Sequence, residues 1–334
     1  MPMRVAVAGL GWWGKQIISC LKKSPRFEVV YGVDPIASEA TNGFLADHGV
    51  RYVSSLDSAL TDSNVDGVIL ATPHQLHEAQ CLQVLAAGKD LFCEKPLTMT
   101  AAGAARVLEA SARAGKVLGI GHERRYEECF ELVGRLIGGG ILGKPLLFDA
   151  NISHDLFRAI DPSNWRLDPR HAPAGMMTAT GIHQTDLCCS YFGSPVEVRA
   201  ETSSLIFDPP ATDFVTATVK FASGVRGVVT LLSCVPYYGR VSVFGDKGWV
   251  EVVSEGNVDQ GKPTIVTLCK GTNAPREVTT FQPTDTVTAN FEAWAGAVAG
   301  ETPYRFTPAQ LLDNVKIFEA VVGSAQEGGK TIRL

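Results

Sequence analysis

The chain has 334 residues, long enough for two domains with separate buried cores. Its 30 Lys and Arg against 35 Asp and Glu leave a formal charge of −5, the wrong balance for a protein that grips nucleic-acid backbones, although a local pocket can still hold a small anion. No apolar run approaches the roughly 18 residues of a membrane span, and the opening "MPMRVAVAGLGWWG" lacks the order of a secretory leader, so a cytoplasmic protein without membrane or nucleic-acid partners is expected.

In chain order, the first 120 residues alternate short apolar runs with helical patterns. Strands are predicted at 4–8, 29–33, 68–71, 91–93 and 117–120. Between them "GKQIISCLKKS", "HEAQCLQVLAAG" and "TAAGAARVLEASARAG" are apolar at spacings of three and four, and two of them end in the Gly that closes helices. Alternation of this kind implies a parallel sheet covered on both faces. After Gly121 a helix, "EECFELVGRLIGGG", leads to a strand near 146–152 and a long irregular stretch. From Val196 to Thr280 the runs are period-two and rich in Val and Thr, with "FGDKGW" as a hairpin turn. Two helices close the chain. The expected fold class is α/β: a Rossmann domain over residues 1–121, then an α+β domain over residues 122–334 with a large, mainly antiparallel open sheet.

The eight cysteines form no CxxC pair and most sit among apolar neighbours, which favours buried thiols over disulfides or zinc. The seven histidines contain no HExxH, and no metal is expected.

"RVAVAGLGWWG" places Gly9, Gly11 and Gly14 between a buried strand and a helix. One Gly makes the tight turn, one lets backbone approach a pyrophosphate, and one lets helix and strand pack closely. The helix N-terminus then offers N–H groups to phosphate. Asp34 follows Gly14 by 20 residues at the end of the second strand. A carboxylate there accepts ribose hydroxyls and repels a 2′-phosphate, and no basic residue follows it closely, so NAD is expected over NADP. The bland alternative is a glycine turn with a capping Asp. Trp12 and Trp13 could cover a cofactor or pack in the core.

With "ATPHQLH" (71–77), "CEKPLT" (93–98), "GHERRY", "NWR", "GIHQTD" and "FGDKGW" added, the sequence resembles the glucose–fructose oxidoreductase, inositol dehydrogenase and MocA family over nearly its whole length. The resemblance implies an oxidoreductase acting on CH–OH groups of sugars, sugar acids, polyols or cyclic hydroxylated catabolites. It implies that Lys95 reaches the nicotinamide and the reacting hydroxyl, where an ammonium can stabilise a developing alkoxide. Pro96 would fix the backbone there, for which a cis bond is one means. It also makes His183 the general base, an imidazole that titrates near neutral pH. The bland readings are a surface Lys paired with Glu94 and a satisfied core histidine.

The expected cofactor contacts are thus Gly9, Gly11, Trp12, Trp13, Gly14 and Asp34, with Ala71, Thr72, Pro73, His77, Glu94 and Lys95. The expected substrate contacts are Lys95, Arg125, Arg166, Thr180 and His183. One departure stands out. Family enzymes acting on polyols often carry Asp four residues before the histidine, where this chain has Ala179; Asp186 could partly substitute. The irregular segment 154–171, "HDLFRAIDPSNWRLDPRH", is rich in Arg and His, which suggests a carboxylate-bearing substrate, although interleaved Asp155, Asp161 and Asp168 could pair internally and the resemblance implies that a WR arginine, here Arg166, often lies near the cofactor whatever the substrate. Two other functions fit the same motifs: a lyase or glycosidase that reduces bound NAD transiently, and a non-catalytic cofactor sensor. Family members commonly assemble through the sheet face, so a homodimer or homotetramer is expected.

Overall fold

The computed structural model describes residues 1–161, 164–257 and 260–334; Pro162 and Ser163 of the arginine-rich segment lie outside the described residues. The chain divides into two compact units, Met1–Glu123 with Asp285–Leu311, and Arg124–Thr284 with Leu312–Leu334.

The first unit runs β1 (Met3–Ala8), α1 (Trp12–Leu21), β2 (Phe27–Val33), α2 (Glu39–Asp47), β3 (Arg51–Val53), α3 (Leu56–Leu60), β4 (Gly67–Leu70), α4 (His77–Ala86), β5 (Asp90–Cys93), α5 (Ala101–Ala114) and β6 (Leu118–Ile120). Its six strands are parallel in the order β3-β2-β1-β4-β5-β6. Strand order reverses between β1 and β4, and a doubly wound sheet binds its ligand at the carboxyl ends of the strands beside such a reversal. Every residue of β4 and β5 is buried, as expected of strands covered on both faces. Helix α1 buries Gly14, Ile17, Ile18 and Leu21, one helical stripe. Helix α5 starts where the Thr100 side chain accepts the Gly103 N–H and stops at Gly115, whose φ is 61°, an N-cap and a left-handed C-cap.

The second unit begins with α6 (Glu128–Gly138) and β7 (Pro145–Ser153). A π-helical turn, Met177–Gly181, runs directly into α7 (Ile182–Phe192). There follow β8 (Pro195–Ser203), β9 (Phe214–Phe221), β10 (Arg226–Leu232), β11 (Tyr238–Gly245), β12 (Trp249–Ser254), β13 (Thr264–Cys269) and β14 (Glu277–Phe281). After α8 (Thr286–Val298) and α9 (Pro308–Gln326), β15 (Ile332–Arg333) completes a nine-stranded sheet in the order β14-β13-β12-β11-β7-β10-β9-β8-β15. β10 and β7 pair in parallel and the other neighbours antiparallel. Alternate residues such as Val215, Ala217, Val219, Val229, Leu231, Val241 and Val243 are buried, so one face of the sheet carries the core. Helix α7 lies on that face: a Cβ on Gly181 would meet Leu231, and one on Gly227 would lie 3.7 Å from Cys188 Sγ.

The expected boundary at residues 121 and 122 needs one correction. Segment Asp285–Leu311 belongs to the first unit, because Phe291, Trp294 and Ala295 of α8 share a core with Met3, Phe27 and Phe92. Trp294 stacks on Phe27 at 6.4 Å and its indole N–H donates to the Val117 carbonyl at 3.2 Å. The helix was visible in the sequence; its partner was not.

Candidate active site

The glycine turn is built by three different constraints. Gly9 has φ 92°, and a Cβ on it would lie 2.5 Å from the Ala71 carbonyl oxygen. A Cβ on Gly14 would lie 1.8 Å from the Gly9 carbonyl oxygen, whereas one on Gly11 would meet nothing within 4 Å. Gly9 and Gly14 are therefore required by the fold itself, and Gly11 opens the turn to whatever approaches it. Gly11 also stands at the N-cap of α1 with no side chain capping the helix, leaving the N-terminal dipole for an anion. Asp34 is fixed beside the turn, with Oδ2 accepting the Leu10 N–H at 2.8 Å and Oδ1 the Ile36 N–H at 3.2 Å. A dinucleotide fits these residues: the open side of Gly11 and the uncapped helix would receive its pyrophosphate, and Asp34 has lone pairs left for ribose hydroxyls.

Trp12 is 60% exposed and its ring sits 5.4 Å from that of Trp13. Trp13 is half-buried, packs against the core of the unit, and donates a hydrogen bond to the Glu94 carboxylate. Trp13 thus packs in the unit's core, while Trp12 is exposed beside the glycine turn.

At the carboxyl end of β5 the chain reads Glu94-Lys95-Pro96, and the Lys95–Pro96 bond is cis. Lys95 is half-buried and its N–H donates to Glu94 Oε2 at 3.3 Å. The Glu94 carboxylate lies against Gly121, where a Cβ would come within 2.3 Å of Oε2. Burial, and then the charge of buried Glu123, push the Glu94 carboxyl up to about 7, against the opposing pull of Trp13 and Lys95. Glu123, from "GHERRY", was not singled out in the sequence, since nothing there shows that the ends of β5 and β6 bring two carboxylates together.

His77 corrects an expectation. It is fully buried, with Nδ1 2.6 Å from the Pro96 carbonyl oxygen and Nε2 2.9 Å from that of Thr72. Rather than facing a cofactor, it braces the Ala71-Thr72-Pro73 loop against the segment that carries Lys95. Burial lowers its pKa. Thr72 is held further by its hydroxyl, which donates to Gln80 at 2.5 Å, and Ala71 by the Ala8 carbonyl at 2.7 Å.

In the second unit His183 is the second residue of α7 and 5% exposed. The π-helical turn before it contains Ala179 and Thr180; such turns often mark functional sites. Ala174, just upstream, has φ 55°, a strained value for a residue with a Cβ. The Thr180 hydroxyl donates to the Met176 carbonyl at 3.3 Å. Thr185 and Asn314 hydrogen-bond at 2.6 Å, and the Asn314 amide donates to the Ile182 carbonyl at 3.1 Å, so α9 fixes the start of α7.

Arg125 also departs from expectation. It is buried, and its Nε and Nη2 donate to the two carboxylate oxygens of buried Asp186 at 2.7 and 2.6 Å. The guanidinium expected beside the substrate instead neutralises Asp186, and Asp186 is committed in return. Neighbouring Arg124 pairs with Glu127 at 3.0 Å and donates to Asn257 at 3.1 Å. Arg166, by contrast, is half-buried in a short 3-10 turn, Trp165–Leu167, with its guanidinium 4.4 Å from the Trp165 ring centre. Among the described residues no group of His, Cys, Asp and Glu could hold a metal ion, and no helix is long and apolar enough to cross a membrane.

Comparison with known proteins agrees with this picture. Residues 3–122 match the family model described as an oxidoreductase family with an NAD-binding Rossmann fold, and residues 130–251 match the GFO/IDH/MocA C-terminal domain. The chain is 27% identical over 254 residues to the myo-inositol 2-dehydrogenase of Thermotoga maritima, covering 74% of each. It is 29% identical over 192 residues to the 1,5-anhydro-D-fructose reductase of Ensifer adhaerens; that match spans 57% of each protein, little more than half of the relative's length. Among solved structures, the aldose-aldose oxidoreductase of Caulobacter crescentus shares the fold with a TM-score of 0.87 at 23% identity, over 100% of both chains. GenD2 from gentamicin A biosynthesis, solved in complex with NAD, does so with a TM-score of 0.84 at 24% identity, over 100% of this chain and 96% of its own. With both of its characteristic domains matched, the chain belongs to the Gfo/Idh/MocA family of oxidoreductases.

Proposed function

We propose that the protein is an NAD-dependent dehydrogenase or reductase acting on a secondary alcohol of a sugar, sugar acid, polyol or cyclic hydroxylated compound. The observation that carries this reading is the braced Glu94-Lys95-Pro96 segment at the carboxyl end of β5, in the unit that also holds the glycine turn. The backbone that carries this half-buried lysine is held by the Glu94 carboxylate on its N–H and by His77 on the Pro96 carbonyl, and an ammonium carried there can stabilise charge that develops in a transition state. Asp34, with no basic residue near it in sequence, favours NAD over NADP.

NAD, when bound, supplies the hydride acceptor for oxidation and, once reduced, the donor for the reverse reaction. The chain's own residues manage oxygen and proton. In oxidation Lys95 binds the substrate hydroxyl and stabilises the alkoxide charge that develops as the C–H bond breaks. His183 accepts the hydroxyl proton, and the C–O bond becomes a carbonyl; in reduction the same imidazole returns the proton. Thr180 and Arg166 are the further substrate contacts on this reading. Arg125 and His77 leave the contact set, since Asp186 and two backbone carbonyls engage them. The relatives named for inositol and anhydrofructose support a hydroxylated carbon substrate. The half-exposed second face of the nine-stranded sheet supports assembly as a homodimer or homotetramer.

Turnover of NAD⁺ with a panel of sugars, sugar acids and cyclitols tests the reading. Absorbance of NADH that grows with the wild type and not with Lys95→Ala or His183→Ala supports it. NADH formation that survives both substitutions refutes the assignment of the two residues.

A further inference from the structure

The second unit concentrates cations between residues 154 and 171, and most of them already have a bonding partner. Arg170 is clamped by Asp168, with contacts of 2.6 to 3.0 Å. His171 lies 3.9 Å from the same carboxylate. Arg158 donates to the Cys234 carbonyl at 2.9 Å. Just outside the segment, Arg124 and Arg125 hold Glu127 and Asp186. Asp168 thus takes Arg170 and Asp186 takes Arg125, while Arg158 is held by a backbone carbonyl.

Arg166 is the exception. Its backbone N–H is capped by Asn164 Oδ1 at 3.0 Å, and its guanidinium rests on the Trp165 ring. Among the described residues no carboxylate pairs with it, and no hydrogen bond from its guanidinium is present. The side chain is half-buried, and burial alone pulls its pKa below the ordinary range, with no acid raising it again. A cation withdrawn from water and left without a counter-charge is costly, so proteins pair such groups or keep them for a ligand. The contact with Trp165 holds the guanidinium against one ring face while its N–H donors stay unengaged among the described residues. That is the arrangement for bidentate capture of an oxyanion.

We propose that Arg166 is an oxyanion-binding residue that recognises a carboxylate or phosphate group of a small-molecule ligand and so sets the substrate class. This deepens the dehydrogenase reading and rests on it for the word substrate. Two sources share this chemistry: an acid group on the substrate, and the pyrophosphate of the cofactor. The glycine turn of the first unit already offers pyrophosphate an open Gly11 and an uncapped helix, so an acid substrate, such as a sugar acid, is the expected source.

The test is calorimetric, so it reads binding whether or not turnover occurs. The full chain, alone and saturated with NAD⁺, is titrated with D-gluconate and D-galacturonate, with D-glucose and D-galactose, and with NAD⁺ itself. Wild type, Arg166→Gln and Arg166→Lys are compared, with thermal unfolding as a check that each variant folds. The expected result is that acids bind at least tenfold more tightly than their neutral parents. In Arg166→Gln that preference disappears while NAD⁺ affinity holds, and Arg166→Lys keeps only part of it, because an ammonium lacks the fork. A tenfold loss of NAD⁺ affinity in Arg166→Gln, with no acid preference in wild type, keeps the oxyanion role and assigns it to the cofactor instead. Unchanged binding of both NAD⁺ and acids in Arg166→Gln overturns the proposal. Failure of the dehydrogenase reading would look different: acid binding that depends on Arg166, with no NADH formed from any substrate.

Discussion

Arg125 and Asp186, 61 residues apart in sequence, meet through two parallel hydrogen bonds of 2.7 and 2.6 Å with both side chains buried. The pair joins the segment after β6 to helix α7, three residues beyond His183. Each side chain is taken up by the other: the guanidinium expected beside a substrate is held by Asp186, and the carboxylate nearest in sequence to His183 is held by Arg125.

Breaking that pair from one side strands a buried charge. Arg125→Gln or Asp186→Leu is expected to destabilise the protein by about 3–5 kcal/mol, whereas the double replacement Arg125→Met with Asp186→Leu recovers much of the loss. Denaturant titration followed by circular dichroism measures both. A single variant as stable as the wild type would show that the pair carries no structural weight.

The glycines separate folding from binding. Gly14→Ala places a methyl within 1.8 Å of the Gly9 carbonyl oxygen and is expected to destabilise the first unit by about 1–3 kcal/mol as the turn is forced apart. Gly11→Ala meets open space, so its stability should stay within roughly 1 kcal/mol while NAD⁺ affinity falls by at least tenfold. Melting curves and NAD⁺ titration check the two halves of this expectation. Equal NAD⁺ affinity in Gly11→Ala would remove Gly11 from the cradle.

Glu94 makes stability depend on pH in a definite direction. Its folded-state pKa is raised from 4.5 to about 7, so between those values the folded protein holds a proton that the unfolded chain has released. Stability from this group is therefore greatest below about pH 4.5 and is lost as pH rises to about 7, by on the order of 3 kcal/mol. Glu94→Gln should match the wild type near pH 5 and exceed it at pH 8. A wild type and variant with the same pH dependence would contradict the buried-carboxyl account.

His77 acts through the backbone. His77→Ala is expected to lower kcat by roughly tenfold or more, since small misplacements of a catalytic group are costly, with the KM of NAD⁺ changing little. His77→Gln, which can still donate to one carbonyl, should recover part of that loss. A change confined to the KM of NAD⁺ would return His77 to the cofactor contacts.

Much of this was legible in the sequence because the deciding signals are local. The turn from Gly9 to Gly14, Asp34 at a strand end, and the period-two runs from β9 to β13 each announce themselves within a few residues. Strand β3 has only three residues at a sheet edge, and α2 and α3 lack a strong apolar stripe, so all three escaped. Other features depend on what distant segments do to one another. Sequence shows that α8 is a helix but not that Trp294 stacks on Phe27. It shows Arg125, Arg166 and Asp186 but not which arginine the aspartate takes. It shows His77 near the TP loop, where a cofactor contact is a fair reading, but not the Pro96 carbonyl 19 residues away. The π-helical turn before His183 has no sequence signature of its own.

The most direct test of the central claim follows NADH at equilibrium and in single turnover, with NAD⁺ and the panel of sugars, sugar acids and cyclitols. Wild type is compared with Lys95→Ala and His183→Ala after each variant is shown to bind NAD⁺. The expected result is steady NADH formation with at least one hydroxylated substrate. It should fall by about 10²–10⁴-fold in each variant while NAD⁺ still binds. NADH that appears once per protein molecule and then disappears, with no net cofactor turnover, would contradict the dehydrogenase assignment and identify a lyase that recycles its own cofactor.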